Sequence, residues 1–118
     1  MGAVLNESMN SACAVVASPV IGASPYLIKE GINGLFFRDR DAESLYEKVL
    51  WLIKHPKERI QMGKQAYYTI TEEWSAKKAA NNLIQLIKDI NLGKISSIEN
   101  GPCSCAPYLK RNWYSKYD

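Results

Sequence analysis

Sulfur chemistry is scarce in this chain. Its three cysteines are an odd number, and Cys103 and Cys105 stand only two residues apart. A disulfide framework needs paired cysteines, so that class is excluded and a reducing cytoplasm fits best. One histidine, His55, and the single C-x-C leave no second pair to complete a four-ligand zinc site. No apolar run approaches the roughly 18 residues of a membrane span. Residues 11–17 are small and apolar, but Asn6, Glu7 and Asn10 precede them where a secretory signal carries lysine or arginine. Positive charge is thin too: 15 Lys and Arg against 12 Asp and Glu leave a formal +3. Part of that excess sits at the end, where Lys110, Arg111 and Lys116 face only Asp118. This is far from a basic stripe, so nucleic acid is not an expected partner. Such a tail attracts an anionic membrane surface only weakly. No internal repeat is present.

What remains is an ordinary globular composition, 47% hydrophobic and 23% charged over 118 residues, enough for one domain and too little for two. Val4, Leu5, Met9 and Ala12 are spaced as on one face of a helix over residues 2–12. The run Cys13 to Ala17, bounded by Ser18-Pro19, predicts a strand buried on both faces, as in a parallel sheet. Ser24 and Pro25 suit the cap and first position of a short helix running to about Glu30. Gly31-Ile32-Asn33-Gly34 is a turn whose two glycines tolerate positive φ, and Leu35 to Phe37 follows as a second strand. Helix, strand, short helix, strand is the rhythm of an α/β fold.

Three helices are predicted next. Asp41 caps the first, with Leu45, Val49, Leu52 and Ile53 inward and a stop at His55-Pro56. The second starts at Pro56 and carries Ile60, Gly63, Tyr67, Ile70 and Trp74. Ser75 caps the third, with Ala79, Leu83, Leu86, Ile87 and Ile90 inward and Gly93 just beyond its end. Residues 1–92 read as the domain. Residues 93–118 read as an extended tail whose aromatics, Tyr108, Trp113, Tyr114 and Tyr117, pack on something.

The chemistry concentrates at the start. A helix N-terminus at Gly2-Ala3 offers unpaired N–H groups and about half a positive charge, which suits a phosphate. Glycine there lets a ligand approach the backbone. Glu7 lies roughly 7 Å further along the axis, placed to accept hydrogen bonds from two neighbouring hydroxyls of a ribose. By spacing alone, a lone glutamate on an amphipathic helix is more often a solvated surface residue. His55 reads as a helix-end residue, Trp51 and Tyr67-Tyr68 as packing aromatics, and Asp39, Asp41 and Glu43 as capping acids rather than metal ligands.

The ordered string G-A-V-L-N-E-S-M-N-S-A-C-A-V-V-A-S, then P-Y-L-I-K-E-G-I-N-G-L-F-F, resembles the C-terminal domain of retaining glycosyltransferases of the GT-B fold, family 4. That family's line runs G-F-G-L-P-x-L-E-A-M-A-C-G-x-P-V-V-A-S, then P-E-L-I-x-x-G-x-N-G-L-L. A D-x-x-x-L helix, an M-G helix and an aromatic-S/D break follow, matched here by Asp41 to Leu45, Met62-Gly63 and Trp74-Ser75. The likeness covers about residues 2–91. It implies the C-terminal part of a Rossmann-like donor-binding domain, with two or three parallel strands remaining of about six.

The resemblance implies that Glu7 binds the ribose of a nucleotide-sugar donor. Backbone groups of Gly2, Ala3 and Val4 would lie at its diphosphate or sugar end. It also implies an earlier glutamate, which falls two residues before Met1, and an upstream basic pair that neutralises the phosphates. No catalytic residue is therefore expected within the chain, and the chain alone is expected to be inactive. No metal and no cofactor are expected, since the family uses helix dipoles and basic side chains instead. The acceptor, a glycan or a lipid, would be held by a missing N-terminal domain. Tyr26 departs from the family's glutamate, and Asn10-Ser11 from its Ala-Cys. An open strand edge makes a homodimer an expectation. The rival class is a non-catalytic nucleotide-binding or oligomerisation module built on the same fold. A flavodoxin-like regulator fits poorly, because no acidic phosphorylation pocket follows a strand.

Overall fold

The computed structural model describes residues 2–106 and 108–117. It is a mixed α/β structure. Helix α1 (Ala3–Asn10) leads into strand β1 (Val15–Ala17), short helix α2 (Ser24–Leu27) and strand β2 (Gly34–Phe36). Helices α3 (Ala42–Lys54) and α4 (Pro56–Tyr68) follow, then a π-helical turn (Thr69–Glu73), α5 (Ala76–Asn91) and a final 3-10 turn (Trp113–Tyr117). The two strands pair in parallel, Val15 opposite Gly34, Val16 opposite Leu35 and Ala17 opposite Phe36.

Alternation along the strands sends side chains to two apolar clusters, one on each face of the sheet. Leu5 and Met9 of α1 join Val15, Ala17, Leu27, Ile28, Phe36, Ala66 and Ile70 in one. Leu35, Leu52 and Met62 form the other, with Ala14 and Val16 against them. Both faces of a parallel pair are thereby covered.

Several ends follow their local chemistry. Asp41 accepts from the Ser44 N–H at 2.9 Å and Ser75 from that of Lys78 at 3.1 Å, so both expected N-caps are in place. After α5, Gly93 (φ +66°) donates to Ile90 O at 3.0 Å and Lys94 to Asp89 O at 2.8 Å. This is a Schellman end with glycine in the left-handed position. The end of α1 has the same bonds, Ala12 to Met9 O at 3.0 Å and Cys13 to Ser8 O at 3.1 Å. There the left-handed residue is Ala12 (φ +56°), so Ala12 lies beyond the helix and not on its inward face.

Other expectations are corrected. The first strand is shorter than Cys13 to Ala17, and the second begins and ends one residue early. Ser24 does not cap α2. It is buried inside the helix, and its hydroxyl donates to Ser18 O at 3.0 Å. Of the turn glycines only Gly31 has positive φ (+76°); Gly34 belongs to β2, where a Cβ would meet Val15 Cγ2 at 2.8 Å. Glycine is needed there for close strand packing.

The inward stripes also change. On α3 only Leu52 of the four apolar positions is buried, while Ile53 is 61% exposed. With β1 paired on one side alone, the sheet is too narrow to cover the rest of that stripe. Ile60 and Tyr67 of α4 are exposed; Met62, Gly63 and Ala66 take the interior. A Cβ on Gly63 would collide with the Ala12 carbonyl oxygen, so α4 crosses the α1–β1 turn backbone to backbone.

On α5, Ala79 and Leu86 are half-buried, but most of the expected apolar stripe faces outward. Leu83, Ile84, Ile87 and Ile90 are exposed, whereas Asn82 and Asp89 are buried. Asn82 turns inward to serve the tail, donating through Nδ2 to Pro102 O at 2.8 Å. Gly101 (φ +82°) sits so close to Glu73 O that any Cβ would collide with it. The segment after 93 is thus pinned at this turn. Further on, Trp113 packs edge-on against Tyr114, with ring centroids 5.9 Å apart, and Tyr108 is 91% exposed.

Candidate donor-binding site

An open cavity lies at the N-terminal end of α1 and has a volume of about 520 Å³. One wall is Gly2, Ala3, Asn6 and Glu7. These positions recur at helical spacing and so share one face. The other wall comes from α2 and its flank, Ala23, Tyr26 and Leu27, together with Trp74. This size falls within the range usual for small-molecule pockets.

Three of the four residues expected to hold a donor line the cavity: Gly2, Ala3 and Glu7. Val4 does not. Its side chain is 76% exposed and borders a neighbouring groove along the free edge of β1, with Ser8, Cys13 and Ile21. Val4 contributes to the cavity's end only through its place in the first turn of the helix. No side chain caps that end and no acidic residue occupies the first turn. The N–H groups there keep their capacity for a ligand, and the helix dipole adds partial positive charge. Gly2 has φ −101°, which any residue adopts, so its lack of a side chain serves space. A Cβ on it would stand 2.5 Å from Ala23 Cβ, and glycine lets the α2 flank close against the helix end.

Among the described residues, the side chains of Asn6, Glu7, Tyr26 and Trp74 have no hydrogen-bond or ion-pair partner. Asn6 and Glu7 are exposed and Tyr26 and Trp74 half-buried, so the polar groups of these lining residues are free to exchange water for a ligand. No Lys, Arg or His lines it, so the helix end supplies its positive potential.

Trp74 and Tyr26 had not been singled out as site residues from the sequence. Trp74 had been placed on a continuous helical stripe, but α4 gives way to the π-turn before reaching it. Wider turns of this kind re-aim the residues that follow and recur at functional sites. Trp74 N–H closes the turn on Thr69 O at 3.0 Å, and its ring packs against the larger apolar cluster.

Residues 1–69 match the family of glycosyl transferases group 1. The chain belongs to that family. No curated protein matches it. The matched stretch contains α1, Glu7 and Tyr26, so most of the cavity falls inside the glycosyl transferase region.

The remaining candidates lie outside this cavity. His55 joins α3 to α4; its Nδ1 lies 2.7 Å from Trp51 O and its ring stacks on Trp51 at 4.4 Å. Asp39 accepts from the Ser18 hydroxyl at 2.7 Å. Asp41 is bound by Arg38 Nε at 2.7 Å. The Ser44 N–H, then Arg38, hold the Asp41 carboxyl below the usual aspartate range. Cys13, Cys103 and Cys105 are free and exposed. Among the described residues no three His, Cys, Asp or Glu side chains gather as metal ligands.

Proposed function

We propose that this chain is the donor-binding part of a retaining, family 4 glycosyltransferase of the GT-B fold. Its parent transfers a sugar from a UDP- or GDP-linked donor to a glycan or lipid acceptor. The observation that carries the reading is a single cavity bringing the uncapped end of α1 together with the partnerless Glu7 carboxylate. Glu7 accepts the two ribose hydroxyls. The backbone of Gly2, Ala3 and Val4 holds the diphosphate through N–H groups and the helix dipole. The cavity lining contains no second carboxylate, histidine or cysteine. Alone, the chain binds a donor without turning it over, and the acceptor belongs to another part of the parent.

A charge-assisted hydrogen bond contributes roughly 1.5–3 kcal/mol. Calorimetric titration of UDP and GDP should therefore show Glu7→Ala binding about ten- to a hundredfold more weakly. Equal affinity in the variant would sink the assignment.

The exposed apolar stripe of α5 favours a second reading, in which the same fold serves as a binding or oligomerisation module and the chain forms a homodimer. Sedimentation that stays monomeric at high concentration would exclude it. No helix among the described residues is long and apolar enough to cross a membrane. The cytoplasm is the proposed location, with weak contact to the inner membrane face through the exposed Lys110 and Arg111.

A further inference from the structure

We propose that Tyr26 and Trp74 are the aromatic side chains that receive the nucleoside half of the donor in the cavity they share with Glu7, with Asn6 contacting the same half. The inference rests on the donor reading above and adds residues to it. If Glu7 holds the ribose, the rest of the nucleoside lies within reach of the side chains that share its cavity. Two of those side chains, Tyr26 and Trp74, are aromatic. Aromatic rings with polar tips suit a ring system that is apolar on its faces and polar at its edges.

The wall is held from behind. The Trp74 ring rests on the larger apolar cluster. The buried Asn33 ties the end of α2 to the π-turn, donating to Leu27 O at 2.9 Å and Thr69 Oγ1 at 3.0 Å. Lys29 and Glu73 join the same two segments by an ion pair at 2.9 Å. A surface anchored in this way is pre-organised, so ordering it costs a ligand little affinity. Asn6, next to Glu7 on the helix, offers an amide that both donates and accepts. That is the pair of functions a base edge or a ribose hydroxyl requires.

The test uses the full 118-residue chain with UDP, uridine and free glucose as probes, read by tryptophan fluorescence and by the indole N–H resonance of Trp74. Trp51, which lines a different part of the surface, serves as the internal control. Uridine and UDP should both shift the Trp74 signal. Tyr26→Ala and Trp74→Leu should each weaken UDP by about five- to a hundredfold, the range for losing one stacked base. Trp74→Phe should retain most of the affinity. Because Trp74 also packs on the core, circular dichroism checks the fold of its variants. Tyr26 is only half-buried and carries the test on its own. If Tyr26→Ala and Trp74→Leu bind UDP like the parent while Glu7→Gln does not, the aromatic wall is wrong and the donor reading survives. If glucose displaces UDP and uridine fails to bind, the wall receives the sugar and the proposal is overturned. If the parent chain binds no nucleotide, both readings fall together.

Discussion

Replacing Asn33 with alanine tests whether the cavity wall is held as described. Asn33 is fully buried and makes three hydrogen bonds. Its Oδ1 accepts from the Lys29 N–H at 2.7 Å, and its Nδ2 donates to Leu27 O and Thr69 Oγ1. Alanine removes all three and leaves buried partners unsatisfied, a loss of about 3–5 kcal/mol. A domain of this length has a total stability of about 6–18 kcal/mol, so the loss is a large share. With a urea slope of about 2 kcal/mol per molar, the unfolding midpoint should fall by roughly 2 M. Nucleotide affinity should fall as well, because Leu27 and Tyr26 line the cavity. Asn33→Asp sharpens the test. It keeps the acceptor for Lys29 but turns a carboxylate oxygen towards Leu27 O and a Thr69 hydroxyl already donating to Gln65 O at 2.9 Å. That variant should be at least as unstable at neutral pH and should recover in acid, where protonation restores a donor. A midpoint for Asn33→Ala within a few tenths of a molar of the parent would refute the reasoning.

Other substitutions probe separate joints. Gly63→Ala should destabilise by about 1–3 kcal/mol, since its Cβ meets the Ala12 carbonyl; a thermal melt reads this directly. Ala12→Gly should stabilise by roughly 1 kcal/mol by relieving a left-handed residue at the end of α1, seen as a raised denaturation midpoint. Asp41→Asn should be less stable than the parent at neutral pH. Because the folded-state pKa of Asp41 is depressed, its contribution is present above the ordinary carboxylate value and fades as pH falls through the folded one. The difference between the two should begin to shrink only below about pH 4 and vanish once pH is below the depressed folded-state value. Charged residues at Ile87 and Ile90 should reduce self-association without lowering the unfolding midpoint, since both side chains already face solvent.

What could be read in advance was local. Asp41, Ser75, Gly93 and the His55-Pro56 break act through their nearest neighbours, so residue type and position suffice to find them. The Glu7 helix and the two parallel strands were legible for the same reason, with boundaries shifted by a residue or two. Orientation was less accessible. The spacing of Leu83, Ile87 and Ile90 marks which face of α5 is apolar and says nothing about whether that face meets a partner. Here the inward position is taken by Asn82, which donates to Pro102 O. The aromatic side of the cavity was hidden for a different reason. A π-turn has no residue signature comparable to a cap, so the placement of Trp74 in the cavity that Glu7 lines emerges only when the helix is followed in space. Tyr26 was visible as a departure from the family's glutamate, but its role depends on that same placement.

The central claim is that the end of α1 and the α2 flank together bind a nucleoside diphosphate. Amide chemical-shift mapping of the parent chain with UDP and GDP, at millimolar ligand, tests it most directly. Shifts should concentrate on residues 2–7 and 23–27 and on the Trp74 indole, with α5 and the tail beyond residue 100 unmoved. Shifts scattered elsewhere, or none with either nucleotide, would contradict the claim.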